Sequence, residues 1–245
     1  MSLDAPIAAE RWPAGDLRRG ITLNHLLRMS SGLRFDEDSI NPRGDILHML
    51  LDVPDVPAFA AAHDLEALPG AHWEYSSAPT NIITGAMRRV LGDAEYRTFP
   101  RRALFDRIGM SSAVIETDAH GNFIGSSFMY ATARDWAKFG LLYLNDGQWQ
   151  GERILPEGWV EYSRTPAPAA PHREYGAHFW LQVADQYRGA ATLPPDTFHA
   201  AGHEGQFISI VPSQKLVVVR LGLTRSADAW QQDEFVRRVL DAIAK

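Results

Sequence analysis

Cysteine is absent from the 245 residues, which excludes disulfides, thiolate nucleophiles and cysteine-based metal sites. No apolar run approaches the roughly 18 residues of a membrane-spanning helix, so no membrane span is predicted. The first residues, Met1-Ser2-Leu3-Asp4, show no basic segment followed by an apolar core, and no signal peptide is predicted within this sequence. The compartment, periplasmic or cytoplasmic, therefore stays open.

Lysine is almost as scarce, with three residues in the whole sequence: Lys138, Lys215 and Lys245. The residues three positions before them are Asp135, Pro212 and Ala242. A Ser-x-x-Lys motif, in which a lysine amine sits one helical turn from a serine hydroxyl, is therefore missing from these residues.

Charge and composition narrow the class of protein. The formal net charge of -6, without a run of basic residues, argues against a nucleic-acid surface. Hydrophobic residues make up 45% and charged residues 22% of the chain, as in an ordinary globular protein. The length fits a single domain over residues 1–245, with a helical lobe at about 20–165 and a sheet with a C-terminal helix at about 172–245.

Helical patterns dominate the first two thirds of the chain. Thr22 predicts an N-cap, and the Thr132-x-x-Asp135 pattern predicts a capping box that opens an amphipathic helix. Pro156 is expected in the first turn of a later helix. Apolar spacing predicts helices at about 22–29, 44–52, 56–63, 80–91, 95–107 and 132–146.

The last third of the chain has a different composition, with short runs that are enriched in Val, Ile and Phe. Strands are predicted at 175–183, 198–201, 206–211 and 216–223. The Pro212–Lys215 segment predicts a hairpin, so these strands should be antiparallel. Residues 228–244 predict a closing helix with Trp230, Phe235, Val239 and Leu240 facing inward. This order of elements indicates an α+β fold.

Four stretches, in this order, resemble segments of the serine β-lactamase/penicillin-binding-protein-like family: Thr22–Leu33, Trp73–Ser77, Gly125–Asp135 and Gly202–Pro212. That family includes class C β-lactamases, DD-peptidases, esterases and 6-aminohexanoate-dimer hydrolases. The resemblance implies a β-lactamase/transpeptidase-like fold. In the family, two strands and the Ser-x-x-Lys helix come earlier than the Leu3-Asp4-Ala5-Pro6 segment, so we expect this chain to be N-terminally truncated, with its first strands and nucleophile helix missing.

The resemblance also implies site residues. Tyr75 matches the tyrosine of the family's Tyr-x-Asn element, and Ser77 takes the place of its asparagine. His203-Glu204-Gly205 matches the Lys-Thr-Gly segment that binds substrate, and the backbone N–H of Gln206 would be an oxyanion donor. Other interpretations stay open: Tyr75 could be structural, Ser76 and Ser77 could cap the following helix, and His203 could lie in an ordinary turn.

Other chemistry is less favoured. The remaining serine pairs, Ser30-Ser31 and Ser126-Ser127, have no lysine at the required spacing, and a packing or backbone-bonding role is expected for the second pair. A Gly-x-Ser-x-Gly elbow is missing, which argues against an α/β-hydrolase. No metal site and no cofactor are predicted, and His25, His63, His72 and His178 show no His-x-x-x-His spacing.

Two functions follow as hypotheses. The first is a serine hydrolase that acts through an acyl-enzyme on an ester, amide or small peptide, with this chain inactive alone or completed by a nucleophile on a separate chain. The second is a non-catalytic pseudo-hydrolase, a binding module that has kept the substrate cleft of the family and lost the nucleophile. His203 and Glu204, in place of Lys-Thr, favour neutral substrates over anionic β-lactams. An exposed strand edge at 216–223 predicts self-association.

Overall fold

A computed structural model describes residues 2–7, 11–224, 226 and 229–244. The chain divides into two compact units. Unit 1 comprises residues 1–100, 114–130 and 167–171, and unit 2 comprises residues 101–113, 131–166 and 172–245. The two units interleave along the chain, and each is described by itself. Among the described residues, no helix is both long and apolar enough to cross a bilayer.

The described part of unit 1 is built from five α-helices. A 3₁₀ turn at Leu17–Gly20 precedes them, and the hairpin of β1 (Val114–Ile115) and β2 (Met129–Tyr130) joins them from later in the chain. The helices are α1 (Leu23–Leu27), α2 (Asp45–Leu51), α3 (Val56–Ala62), α4 (Ala78–Leu91) and α5 (Asp93–Pro100).

The predicted cap at Thr22 is confirmed. The Thr22 hydroxyl accepts a hydrogen bond from the His25 amide at 3.2 Å, and the His25 ring accepts one from the Thr22 amide at 3.2 Å. This reciprocal pair satisfies two amides that helix geometry would leave without partners. The apolar face of α4 then buries Ile82 and Ala86 in the core of unit 1.

Unit 2 contains a π-helical turn at Arg101–Phe105, the helices α6 (Ala133–Leu144) and α7 (Trp159–Arg164), and the two-residue strands β3 (Gln148–Trp149) and β4 (Glu152–Arg153). Its main sheet has the strand order β5-β6-β7 and is antiparallel, as predicted. Those strands are β5 (Phe198–Gly202), β6 (Gln206–Val211) and β7 (Leu216–Arg220), and α8 (Gln232–Ile243) follows.

Helix α6 packs on this sheet at a glycine. A Cβ on Gly140 would lie 2.5 Å from Val217 Cγ1 and 2.9 Å from Ile208 Cγ2, so only glycine permits this separation of helix and sheet. The hydroxyl of Thr132 caps α6 by accepting from the Asp135 amide at 3.3 Å. The Asp135 carboxylate accepts instead from the Ser112 hydroxyl and from Lys138, so only one half of the predicted capping box forms.

Three predicted elements need correction. Residues 175–183 form no strand, only isolated bridges from Trp180 to Tyr175 and to His199. Pro156 lies before α7, which begins after Gly158. The closing helix begins at Gln232, so Trp230 precedes it and Asp228 lies outside the described residues. The α+β class is confirmed, because helices and an antiparallel sheet occupy successive parts of the described chain.

Candidate active site

Ser77 is bound by a carboxylate that the sequence analysis did not identify. Ser77 immediately precedes α4 and is buried. Its hydroxyl donates to Glu37 Oε1 at 2.6 Å and its amide donates to Glu37 Oε2 at 2.8 Å. Ser77 makes no side-chain cap for α4, while the neighbouring Ser76 hydroxyl accepts from the Ala78 amide at 3.3 Å. The capping interpretation therefore fits Ser76 and not Ser77.

Asn81 links the start of α4 to the 125–126 segment. Its side-chain amide donates to the Ser77 carbonyl at 3.0 Å and to the Ser126 hydroxyl at 2.9 Å. Its carbonyl oxygen accepts from the Gly125 amide at 3.0 Å. The side chain is fully buried, and these bonds satisfy its donors and its acceptor. The Ser126 hydroxyl thus binds a side-chain amide, whereas a packing or backbone-bonding role was expected for the Ser126-Ser127 pair.

Tyr75 lies two residues before Ser77 and keeps 38% of its surface exposed. Desolvation, and after it the charge of the Glu37 carboxylate, raise the pKa of the Tyr75 phenol to about 12. Burial also raises the pKa of Glu37, while the two bonds from Ser77 oppose that rise. At neutral pH, Tyr75 is therefore a protonated phenol that can donate a hydrogen bond.

An exposed group of possible metal ligands lies next to this site in the sequence. Glu66, His72 and Glu74 place one ligand atom each within 4.8 Å of one another. Partial desolvation, and then the hydrogen bond and charge of Glu66, raise the pKa of the Glu74 carboxyl. A search by His-x-x-x-His spacing could not find this group, because it contains one histidine and two glutamates.

The residues predicted to bind substrate form the turn between β5 and β6. Gly202 pairs with Gln206, and His203, Glu204 and Gly205 make the connection. Glu204 and Gly205 have φ values of 56° and 78°, in the left-handed region. His203 is exposed, with its Nε2 3.8 Å from Glu204 Oε1, and the Gln206 side chain donates to the His203 carbonyl at 3.2 Å. The segment is thus a hairpin turn rather than a strand edge.

The Arg220 side chain packs against this hairpin and stabilises it. Its guanidinium donates to the Gly205 carbonyl and to the Thr224 hydroxyl at 2.7 Å. It also lies over the Trp230 ring, 4.1 Å from the centroid, a cation–π geometry. A Cβ on Gly205 would lie 2.8 Å from Arg220 Nη1. The glycine thus allows close approach of the protein's own arginine.

The sequence-predicted residues therefore fall into two local groups. Tyr75 and Ser77 lie together in unit 1, and His203, Glu204, Gly205 and Gln206 lie together in unit 2. His199 and His203 do have a His-x-x-x-His spacing, but on a strand it separates them by roughly 13 Å. His199 is buried, with its Nδ1 2.8 Å from the Ser209 hydroxyl.

Several solved structures have a similar fold. One is a protein assigned as a β-lactamase from Bacteroides dorei DSM 17855, with 18% sequence identity and a TM-score of 0.71. The match covers 100% of this chain and 79% of that chain. A protein assigned as a 6-aminohexanoate-dimer hydrolase from Bacillus anthracis has 21% identity and a TM-score of 0.73 over 100% and 65% of the two chains. A family VIII carboxylesterase has 17% identity and a TM-score of 0.71 over 100% and 76%.

Comparison with curated proteins gives no match. The model of the Beta-lactamase family, by contrast, matches residues 1–238, nearly the whole sequence. The four stretches that resemble the family in the sequence all lie inside this match. The chain therefore belongs to the β-lactamase family of hydrolases.

Proposed function

We propose that this chain forms part of a serine hydrolase that acts through an acyl-enzyme on a neutral ester, amide or small peptide. The match of the family model over residues 1–238 carries the proposal. The names of structurally similar proteins, among them a carboxylesterase and a D-stereospecific amidohydrolase, agree with these substrate classes. We further propose that the 245 residues alone do not form an acyl-enzyme.

The chemistry of acyl transfer explains why we expect no acyl-enzyme from the 245 residues alone. A serine attacks when a base takes its proton and donors stabilise the oxyanion. With a pKa of about 12, Tyr75 is too weak an acid to be present as phenolate at neutral pH. A nearby ammonium would lower that pKa, but no serine in the sequence has a lysine three residues later. In these residues Tyr75 would act as a hydrogen-bond donor.

The residues of the turn between β5 and β6 indicate which kind of substrate would be preferred. His203 is exposed and could donate a hydrogen bond to a substrate carbonyl. Glu204 adds a negative charge beside it, which disfavours an anionic acyl group. We propose His203, Glu204 and Gly205 as substrate-binding residues and the Gln206 backbone N–H as an oxyanion donor. Neutral substrates should therefore be preferred over penicillins.

Covalent labelling tests the absence of an acyl-enzyme. The 245-residue chain is incubated with a fluorophosphonate and, separately, with a fluorescent penicillin, and intact mass is recorded. We expect no adduct with either reagent. A stoichiometric adduct on Ser77, or on any other serine, would show that these residues contain a complete nucleophilic site.

A lengthened chain tests the hydrolase itself. Where the gene encodes an in-frame Ser-x-x-Lys ahead of Met1, a chain that includes it should hydrolyse short p-nitrophenyl esters. Tyr75→Phe in that chain should lower kcat by about 100-fold, within the range for one acid–base group. Tyr130→Phe, also exposed and in unit 1, is the matched control and should leave kcat unchanged.

One observation favours the second candidate, a non-catalytic binding module. Glu37 accepts from both the amide and the hydroxyl of Ser77, which makes that hydroxyl a partner of a carboxylate rather than of an amine. A gene without an upstream Ser-x-x-Lys, combined with saturable binding of an ester analogue and no hydrolysis, would support this candidate over the first.

We also propose self-association through β7. In the sheet as described, β7 pairs with β6 alone, and Leu221 and Leu223 beyond its end are exposed. An unpaired strand edge tends to recruit another strand. Sedimentation velocity should show dimers that increase with concentration. A monodisperse, highly stable monomer at all concentrations would contradict this.

A further inference from the structure

Unit 2 contains a concave site that none of its predicted site residues lines. It is an open cavity of about 660 Å³, and its apolar lining residues include Leu181, Val183, Leu193 and Phe198. None of His203, Glu204, Gly205 and Gln206 lines it. Phe198 begins β5 and Gly202 ends it, so the cavity and the hairpin lie at opposite ends of that strand, roughly 13 Å apart. The volume falls in the usual range for a small organic ligand.

A buried hydroxyl without a partner lines this cavity. Thr197 is 6% exposed, and its Oγ1 makes no hydrogen bond with any described residue. Its backbone is fixed, because the Thr197 amide donates to the Pro194 carbonyl at 3.0 Å. Buried polar groups nearly always have partners. The Thr197 hydroxyl therefore lacks a partner that a bound molecule could supply.

The cavity is lined by more positive than negative groups. Three arginines line it, Arg164, Arg173 and Arg188, against two carboxylates, Asp196 and Asp233. Both carboxylates already accept backbone hydrogen bonds, Asp196 from Ser213 at 2.6 Å and Asp233 from Gly189 at 2.6 Å.

Arg173 differs from the other two arginines. Arg164 has Glu161 3.6 Å away and Arg188 has Asp185 3.2 Å away. Arg173 is exposed and makes no hydrogen bond or ion pair with a residue that the structure describes. Its φ of 58° is unfavourable for a residue other than glycine, and such conformations cluster at ligand-binding positions. Arg173 is therefore the guanidinium that is available for an anion.

We propose that this cavity binds an organic carboxylate with an apolar body of medium length. The apolar chain would lie on Leu181 and Leu193, and the carboxylate would accept a hydrogen bond from Thr197 Oγ1 and pair with Arg173. The site does not depend on the acyl-transfer chemistry proposed above, since it shares no residue with it.

Calorimetric titration of the 245-residue chain with sodium octanoate tests the proposal. We expect saturable 1:1 binding, with 1-octanol binding at least tenfold more weakly because it lacks the charge. Thr197→Val, which keeps the shape and removes the hydroxyl, should weaken octanoate binding by roughly tenfold without lowering thermal stability. Arg173→Gln should weaken it by a similar factor.

Two control variants distinguish binding in this cavity from a general effect of charge and from binding at the proposed hydrolase site. Arg238→Gln removes the same charge from an exposed position of α8 that does not line the cavity, and should leave octanoate affinity unchanged. Tyr75→Phe should also leave it unchanged, because Tyr75 belongs to the proposed hydrolase site. Equal binding of octanol and octanoate, an equal loss in Arg238→Gln, or no effect of Thr197→Val would each overturn the proposal.

Discussion

Glu37 holds Ser77 by two hydrogen bonds, one from its hydroxyl at 2.6 Å and one from its amide at 2.8 Å. The two residues are 40 positions apart in the sequence, and their hydrogen bonds hold the 33–41 segment beside the start of α4. A carboxylate that accepts two donors is well anchored even when it is partly buried. This pair fixes the backbone directly after Tyr75 and therefore the position of the phenol.

The first prediction concerns the contribution of this pair to stability. Ser77→Ala removes the hydroxyl and leaves a partly desolvated carboxylate with one donor fewer. We expect a loss of about 1–3 kcal/mol in the free energy of unfolding, measured by urea denaturation at pH 7. Ser127→Ala is the control, because the Ser127 hydroxyl makes no hydrogen bond with described residues, and it should cost less than about 0.5 kcal/mol. Equal losses in both variants would contradict the assignment.

The second prediction concerns the phenol of Tyr75. The Glu37 charge contributes to its pKa of about 12, so Glu37→Gln should lower that pKa. Carbon-13 NMR of Cζ-labelled tyrosine, with the signal assigned by Tyr75→Phe, measures the change. Glu66→Gln removes a charge from the same unit that does not act on Tyr75 and should leave its pKa unchanged. An unchanged Tyr75 pKa in Glu37→Gln would mean that desolvation alone determines it.

The third prediction separates the two glycines of the β5–β6 hairpin. Gly205→Ala places a Cβ at a φ of 78° and 2.8 Å from Arg220 Nη1, so we expect a loss of at least about 1–2 kcal/mol. Gly202→Ala has its nearest neighbour at 3.5 Å and should be roughly neutral. Chemical denaturation of both variants checks this. Comparable stability of the two variants would contradict a structural requirement for glycine at position 205.

Local patterns were sufficient to predict most helices and the antiparallel sheet. Thr22 and Thr132 act as caps through bonds to residues three positions on, and such short-range chemistry is visible in a sequence. Periodicity also located α4, and enrichment in Val, Ile and Phe located β5 to β7, within a few residues. The resemblance to the family, carried by the four stretches 22–33, 73–77, 125–135 and 202–212, then predicted the fold as a whole.

Long-range partners could not be predicted in this way. Glu37 and Ser77 are 40 residues apart and Asn81 and Ser126 are 45 apart, and no spacing rule relates such positions. The 175–183 segment has strand-like composition, but it forms isolated bridges and turns back on itself, with the Gly176 amide donating to Phe179. Composition indicates which residues tolerate a strand and does not indicate whether a partner strand lies beside them.

The fourth prediction is a pH dependence from His199. Burial lowers the pKa of His199 from 6.5 to about 4, so between these values the unfolded chain binds the proton and the folded chain does not. Stability therefore falls as the pH falls from 6.5 towards 4, by up to about 3 kcal/mol for this group. The difference in unfolding free energy between the unaltered chain and His199→Gln, followed by urea denaturation from about pH 7.5 to 4, isolates this contribution. His203→Gln, at an exposed position, should follow the unaltered chain throughout. A constant difference between the unaltered chain and His199→Gln over that range would show that the buried ring keeps its ordinary pKa.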